Sequence, residues 1–500
     1  MIGVEDVTRF AFLIGLVAVI GIVAVLANRV SERLRVPAPA LFLVGAAIAA
    51  DLFPFLGSLR IETVQRIVTV ALIAILFDGG MHIGRRRLRA MSGPVLWIGV
   101  AGTLVTAAAV AVVCHLLFGL DWLTSMLIGT ALAPTDPAVV FSVLGKREVA
   151  GPSSVLLEGE SGANDPVGIA LLASVMAAAA VSSPWSAFAV GLREFVLQLG
   201  IGAVAGVGSG LLLIAFVRRV RLPSEGLYPL RTLAVAFAVY GITTLVHGSG
   251  FLAVFIAGIM LGDVRAPYKR EIRRFHASLA SLGEIVAFTV LGLTVSLRAI
   301  DPFVLTVGGI LAVLLAFVLR PLFVGPLLLP LRLTRGEQLF VLISGLKGAV
   351  PVLLGTFILA SGPLLAGRSL DPERIYAVIF LVVTFSVIVQ GGLVPPLARW
   401  CRVPMRIVEQ EPWSLGVRLR QEPQGMHRFV VAAGAPAAGR TIDELDLGED
   451  VWISMLLRDG TLVAVRGDTM VQAGDEVLVL TDPEQGTDVA PLFRPRPHED

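Results

Sequence analysis

Charge is scarce in this chain: of 500 residues only 16% are Asp, Glu, Lys or Arg, while 56% are hydrophobic. Apolar runs repeatedly approach or exceed the roughly 20 residues needed to cross a bilayer, which makes this a polytopic membrane protein. The two cysteines, Cys114 and Cys401, exclude a disulfide framework and leave the redox compartment open. No His/Cys cluster suggests zinc. No HExxH and no Ser/His pairing in the apolar spans supplies an intramembrane enzyme. No Gly-rich phosphate loop follows a strand, so a complete dinucleotide-binding domain is absent.

What the chain has instead is thirteen apolar segments, centred near residues 18, 45, 73, 106, 133, 167, 202, 238, 256, 288, 316, 348 and 387, with HGSG dividing the pair at 238 and 256. Basic residues give their direction, because cytoplasmic loops are enriched in Lys and Arg. Alternate loops, such as those with Arg85, Arg86, Arg87 and Arg89 or with Arg218, Arg219 and Arg221, hold twenty-two basic residues against six in the others. The N-terminus is therefore expected outside and the C-terminus in the cytoplasm; the basic loops set topology and do not bind nucleic acid. Val25 and Ala27 have the spacing of a signal cleavage site, but Glu5 and Asp6 stand where a signal would be basic, so the first segment is read as a membrane helix.

Against that apolar background a few ionisable residues stand out. Asp165 lies inside the apolar stretch 155–181, directly after Asn164 and one helical turn beyond Glu160, in GESGANDPVGIALL. Ionisable groups at membrane depth are costly and usually mark an ion or proton path. The preceding segment carries ALAPTDPAVVF, with Thr135 and Asp136 between two prolines. A helix broken there frees backbone carbonyls at mid-membrane depth, which suit a small cation. The twelfth segment, LFVLISGLKGAVPVLLGTF, has its own weak centre at Gly345, Gly348 and Pro351. With seven segments between the fifth and the twelfth, the two breaks run in opposite directions, as in inverted-repeat transporters with discontinuous, crossed helices. The site is expected between segments five, six and twelve.

Charge divides the chain again near residue 406. Residues 1–406 carry 32 basic against 21 acidic residues, and residues 407–500 carry 8 against 17. This gives a transmembrane domain over 1–405, a small cytoplasmic α/β domain over 415–485, and a disordered end over 486–500. In the tail, HRFVVAA, TLVAVRG and DEVLVLTD read as strands, and TIDELDL as a brief helix introduced by a Thr cap.

GESGANDPVG, APTDP and GLKGAVPVLL together, with ILFDGGM, GEIVAFTVLGLTVS and TFSVIVQGGLVPPL, resemble the monovalent cation/proton antiporters of the sodium/proton exchanger and NhaP type over nearly all of residues 1–400. In the tail, AGRTIDEL and QAGDEVLVL resemble the C-terminal ligand-binding half of regulators of potassium transport. The combination is similar to bacterial potassium/proton antiporters of the cell-volume-regulation type.

The resemblance implies that Asp165 takes either the proton or the cation. It implies that Asn164 replaces the second acid of electrogenic relatives, giving electroneutral exchange, and that Thr135, Asp136, Glu160 and Ser161 complete the surroundings. Lys347 stands where the family usually has Arg and is expected to pair with Glu160. Lys can lose its proton when buried, whereas Arg cannot.

Further expectations are a homodimer in the inner membrane of a bacterium, no cofactor, no metal beyond the transported monovalent cation, and a nucleotide or other small ligand for the tail. Asp78 and Glu284 are accessory candidates, read first, like Asp51, as fold or entrance residues. His247 is read as a turn residue and His82 as a solvated one. The glycines at 200, 202, 206, 208 and 210 are read as helix-packing residues. Sodium or lithium in place of potassium stays open at this point, as does, more remotely, a ligand-gated cation channel.

Overall fold

The computed structural model describes residues 37–407 apart from 145–146, 150, 265 and 332, and residues 425–494 apart from 449–450 and 482–488; before residue 37 it describes only single helical positions. The first expected segment thus lies almost wholly outside the described residues. Each of the twelve expected segments after it coincides with a helix or an interrupted helix.

In chain order these are α1 (Ala38–Leu52), α2 (Ile61–Leu96), α3 (Thr103–Phe118), α4 (Trp122–Leu132), α5 (Pro137–Leu144), α6 (Pro152–Ala179), α7 (Pro184–Arg219) and α8 (Leu227–Leu245). The series continues with α9 (Gly250–Gly262), α10 (Lys269–Leu293), α11 (Pro302–Leu314), α12 (Arg320–Leu328), α13 (Arg335–Ile343), α14 (Ala349–Ala360), α15 (Pro372–Phe385) and α16 (Gly391–Trp400). Helix α2 bends at Gly84, whose φ is +67°, so it serves two segments. By length and composition seven described helices can cross a membrane, or eight with the bent pair α4 and α5 counted as one.

Among the described residues three π turns interrupt the bundle, at Trp97–Gly102 before α3, Leu315–Leu319 between α11 and α12, and Ser386–Gln390 between α15 and α16. Such turns collect at functional sites in helical proteins. The five glycines of α7 divide by face. Gly202, Gly206 and Gly210 lie against Ser249, Ala253 and Met260 of the α9 region, where a Cβ would come within 3 Å of a neighbour, whereas Gly200 and Gly208 face open space. The membrane unit also holds a two-stranded ribbon in which β1 (Arg147–Val149) pairs antiparallel with β2 (Met405–Ile407). It joins the loop between α5 and α6 to the segment that follows α16.

Residues 413–500 form the second compact unit. Its strands β3 (Met426–Val430), β4 (Val451–Arg458), β5 (Thr461–Val463) and β6 (Glu476–Thr481) form an antiparallel sheet in the order β3-β6-β4-β5. The sheet buries alternate residues, Val477 and Val479 among them, as a one-sided sheet must. Strand β4 was not expected: its run VWISMLLR alternates only until a bulge between Ile453 and Met455 shifts the register. TIDELDL forms a 3-10 turn at Asp443–Leu445, and the Glu444 carboxylate, not the Thr441 hydroxyl, closes it by accepting the Thr441 N–H at 2.9 Å. The expectation of disorder from residue 486 is corrected at α17 (Ala490–Phe493). There Phe493 is fully buried and stacks on Phe429 with ring centroids 5.0 Å apart. One aromatic anchor outweighs a proline-rich, charged composition.

Candidate functional site

The two interrupted helices meet at their breaks. Pro134 and Pro137 end α4 and restart the chain as α5 with a bend of 41°. Gly345 and Gly348 separate α13 from α14. The breaks are joined through the main chain, the Asp136 N–H donating to the Leu346 carbonyl at 2.8 Å. Half-helix ends expose unpaired backbone groups, N–H at the start and C=O at the finish. Here each is matched by a side chain of one of the two breaks or, at the end of α13, by Gln390 of the π turn that follows α15. The Asp136 carboxylate accepts from the Ala138 N–H at 2.9 Å and from the Ala349 N–H, so one acid caps both α5 and α14. The Lys347 ammonium donates to the carbonyls of Ala133 and Pro134 at 3.0 and 3.1 Å, capping the end of α4. Gln390 does the same for α13, its Nε2 donating to the Ile343 carbonyl at 2.5 Å. Ser386 links this cap to the break, accepting from the Lys347 N–H at 2.9 Å and donating to Gln390 Oε1 at 2.8 Å.

Helix α6 passes beside the crossing. Glu160, Ser161, Asn164 and Asp165 are all buried on it, at 3%, 6%, 2% and 8% exposure. Asn164 Nδ2 donates to Thr135 Oγ1 at 2.7 Å, which brings two of the expected residues together. Pro166 follows Asp165 and has no N–H, so the Gly162 carbonyl lacks its helical donor. Asn164 Oδ1 and Asp165 Oδ1 are both buried without a hydrogen-bond partner among the described residues.

The structure corrects the expected pairing of Glu160 with Lys347. Arg320 holds Glu160, with NH2 to Oε1 at 2.7 Å and both side chains nearly fully buried, while its Nε donates to the Leu342 carbonyl at 2.9 Å. Lys347 is spent on the α4 carbonyls instead. The signal for Arg320 was present as a lone cation in the apolar run LAVLLAFVLRPLF, which the cost of charge at membrane depth marks as a residue with a buried partner.

The accessory candidates take no part in these hydrogen bonds, although Glu284 lies near enough to Asp136 for their charges to interact. Asp78 on α2 faces His82 one turn on, at 3.2 Å, and His82 is 58% exposed. Glu284 on α10 keeps Oε1 buried and unpartnered among the described residues. Neither makes a hydrogen bond to the crossing. Asp51 pairs at the surface with Arg298 at 3.8 Å, and His247 adopts a turn conformation with φ +59°.

The charges of the crossing therefore cancel in sets. Asp136 answers helix N-termini, Lys347 a C-terminus, and Arg320 answers Glu160. Asp165 is the remaining carboxylate: its Oδ1 has no donor among the described residues, and Lys347 lies near enough for its charge to act on the group. Side-chain and main-chain oxygens around one acid can hold a hard monovalent cation, or the acid can hold a proton in its place.

Comparison with known proteins places this geometry. The sodium/hydrogen exchanger transmembrane family matches residues 16–400, and the TrkA-C domain matches residues 426–494. The chain belongs to the sodium/hydrogen exchanger family. A K(+)/H(+) antiporter NhaP from Alkalimonas amylolytica is 32% identical over 485 residues, covering 95% of this chain and 82% of the relative. A K(+)/H(+) antiporter NhaP2 from Shewanella oneidensis is 29% identical over 495 residues, covering 98% and 84%. A Na(+)/H(+) antiporter NhaP from Pseudomonas aeruginosa is 26% identical over 371 residues, covering 68% and 82%. Among solved structures, the sodium proton antiporter MjNhaP1 from Methanocaldococcus jannaschii at pH 8 superposes with a TM-score of 0.65 at 21% identity, over 78% of this chain and 97% of that one. This member of the exchanger family is thus a multi-pass membrane transporter of the monovalent cation/proton antiporter type, with a TrkA-C domain after the membrane unit.

Proposed function

We propose that the protein exchanges potassium for protons, one for one, by exposing Asp165 alternately to the two sides of the membrane. The observation that carries this reading is Asp165, whose buried Oδ1 has no donor among the described residues, beside a crossing whose other charged groups are held by helix ends or by an ion pair. A carboxylate in that position binds one cation or one proton and never both. Each half of the cycle then carries the same net charge across the membrane, since Asn164 supplies no second titrating acid. Such a cycle escapes the roughly 2.3 kcal/mol per charge that each 100 mV imposes on net charge movement. Asn164 and Thr135, tied to each other, offer neutral oxygens beside the carboxylate.

Potassium is favoured over sodium and lithium by the span of the likenesses. The two relatives matched over 95% and 98% of this chain are named for potassium, and the relative and the solved structure named for sodium are matched over 68% and 78%. Within the same reading the protein is a homodimer of the bacterial inner membrane with its N-terminus outside, and the tail binds a nucleotide or another small ligand in the cytoplasm. A tail ligand acts by favouring one transporter state over another.

Reconstituted vesicles with a pH-sensitive dye test the proposal. Adding potassium should dequench the dye without a valinomycin-sensitive membrane potential. A response to sodium or lithium alone would move the substrate to the alternative, and a single-channel conductance would replace exchange with a pore.

A further inference from the structure

The two half-helices that enter the crossing are α4 and α13, and their outer ends are built alike. At the start of α4 the Asp121 carboxylate divides its oxygens. Oδ1 accepts the N–H groups of Leu123 and Thr124 at 3.1 and 3.2 Å, capping the helix. Oδ2 accepts the Thr124 hydroxyl of the same turn at 2.6 Å and, from outside the helix, Ser369 Oγ at 2.6 Å and the Ser369 N–H at 3.1 Å, just before α15 begins at Pro372. At the start of α13 the Glu337 carboxylate divides its oxygens in the same way. Oε2 accepts the Thr334 N–H and hydroxyl, both at 2.9 Å, closing a capping box. Oε1 accepts Ser153 Oγ at 3.0 Å, in the first turn of α6.

The likeness follows the repeat. Segments five and twelve correspond, as do six and thirteen. In each case the carboxylate that caps an interrupted helix of one repeat reaches a serine at the foot of the straight helix of the other. Simple capping does not require the second oxygen, because a cap is complete once the first-turn N–H groups are met. The serine bond is an addition, made twice, at opposite ends of the unit.

We infer that Asp121–Ser369 and Glu337–Ser153 are a matched pair of positioning contacts that fix how deep α4 and α13 reach into the crossing. A helix is stiff along its axis. The 11 residues of α4 carry a displacement at Asp121 to the carbonyls of Ala133 and Pro134 about 16 Å away. The 9 residues of α13 carry one at Glu337 to the second break over about 13 Å. The foot of α6 is also the base of the helix that bears Asp165. Both contacts therefore set the spacing between the freed carbonyls and that acid, and cavity size and rigidity are what discriminate between cations. The transport part of this inference rests on the exchange proposed above; the part about backbone order does not.

The test replaces Ser153 and Ser369 by alanine, singly and together, with Ser369→Thr as the conservative control. Hydrogen–deuterium exchange of residues 133–136 and 344–348 in the inserted protein should rise about tenfold in the double variant and stay at the wild-type level in Ser369→Thr. In vesicles, the ratio of apparent KM values for potassium, sodium and lithium should move at least threefold towards unity, while the maximal rate with potassium falls less than the ratio changes. Unchanged deuterium uptake at the breaks overturns the inference whatever is transported. Raised uptake with an unchanged KM ratio overturns the claim that the contacts set spacing. A wild-type protein that exchanges none of the three cations refutes the proposed function and leaves the deuterium result to decide the contacts.

Discussion

The two breaks reach the same crossing by opposite means. The first is made by prolines, which remove donors and leave carbonyls at the end of α4 for Lys347 to meet. The second is made by glycines, and each marks a place where a side chain from elsewhere closes in. A Cβ on Gly348 would lie 1.9 Å from Asp136 Oδ2, and one on Gly345 would lie 2.1 Å from Arg320 Nε. One break is stiff and supplies the acid; the other is open and receives it. Sequence symmetry between the halves is weak for this reason. The repeats share geometry but not groups: the proline break carries the acid, and the glycine break carries the ammonium and the space that admits the acid.

The largest effect is expected at Asp165, whose Oδ1 receives no donor from either break among the described residues. Asp165→Asn should abolish exchange of every cation in vesicles, yet melt no lower than wild type, since it removes a buried acid whose Oδ1 has no donor. Substantial residual exchange would sink the single-carboxylate cycle.

Next comes the glycine break. Arg320→Ala strands Glu160 and should cost about 3–5 kcal/mol of stability, the usual penalty for removing one partner of a buried pair. Lys347→Ala leaves Glu160 paired and gives up charged hydrogen bonds to two carbonyls, so its cost should be smaller, roughly 2 kcal/mol. Lys347→Arg should not behave as a conservative change, because a planar guanidinium does not fill the place of a compact ammonium between two carbonyls. Melting curves of the three variants in one detergent would rank them, and a larger loss for Lys347→Ala than for Arg320→Ala would restore the Lys347–Glu160 pairing.

The two breaks should also differ in their tolerance of alanine. Gly348→Ala forces Asp136 off both helix N-termini and should lower the maximal rate tenfold or more. Pro137→Ala, at the first position of α5 where proline is merely preorganised, should change it less than threefold. Equal losses would mean that the close approach at Gly348 is not what the glycine serves.

The smallest effect concerns pH at the outer end of α4. Burial works to raise the Asp121 carboxyl, but hydrogen bonds from Ser369 and Thr124 outweigh it and hold the group well below the ordinary carboxylate range. A depressed acid contributes stability above its unfolded value of about 3.9 and loses it as pH falls towards the folded value. The stability difference between wild type and Asp121→Asn should therefore be flat from pH 5 to 9 and shrink only below about pH 4. With Asp121 27% exposed the difference should be modest throughout. A change across pH 6–8 in thermal melts would contradict this.

Much of the site could be read in advance because proline and glycine punctuate a membrane helix loudly, and a carboxylate among apolar residues is equally loud. The partner of Glu160 was not legible in that way. Lys347 and Arg320 both lie in segments bordering α6, and which of them faces Glu160 depends on the rotation of α12 and on the carbonyls that the proline break offers to Lys347. Neither quantity is written in a motif. Gln390 and Ser386 sat inside a recognisable run, yet their task, capping one helix from the π turn of another, belongs to packing alone. In the tail, composition hid both β4, through its bulge, and Phe493, through its neighbours.

The ribbon of β1 and β2 bears on how the tail can be removed. Charge composition changes near residue 406, but Arg406 and Ile407 are rungs of a ladder with Glu148 and Arg147, and the compact membrane unit runs to Pro412. A chain ended at Arg406 would lose a rung beside the loop that joins α5 to α6. Any change in its kinetics would then confound loss of the tail with a frayed strand. The clean cut lies beyond Ile407, where the ladder with β1 is complete and the sequence has already turned acidic.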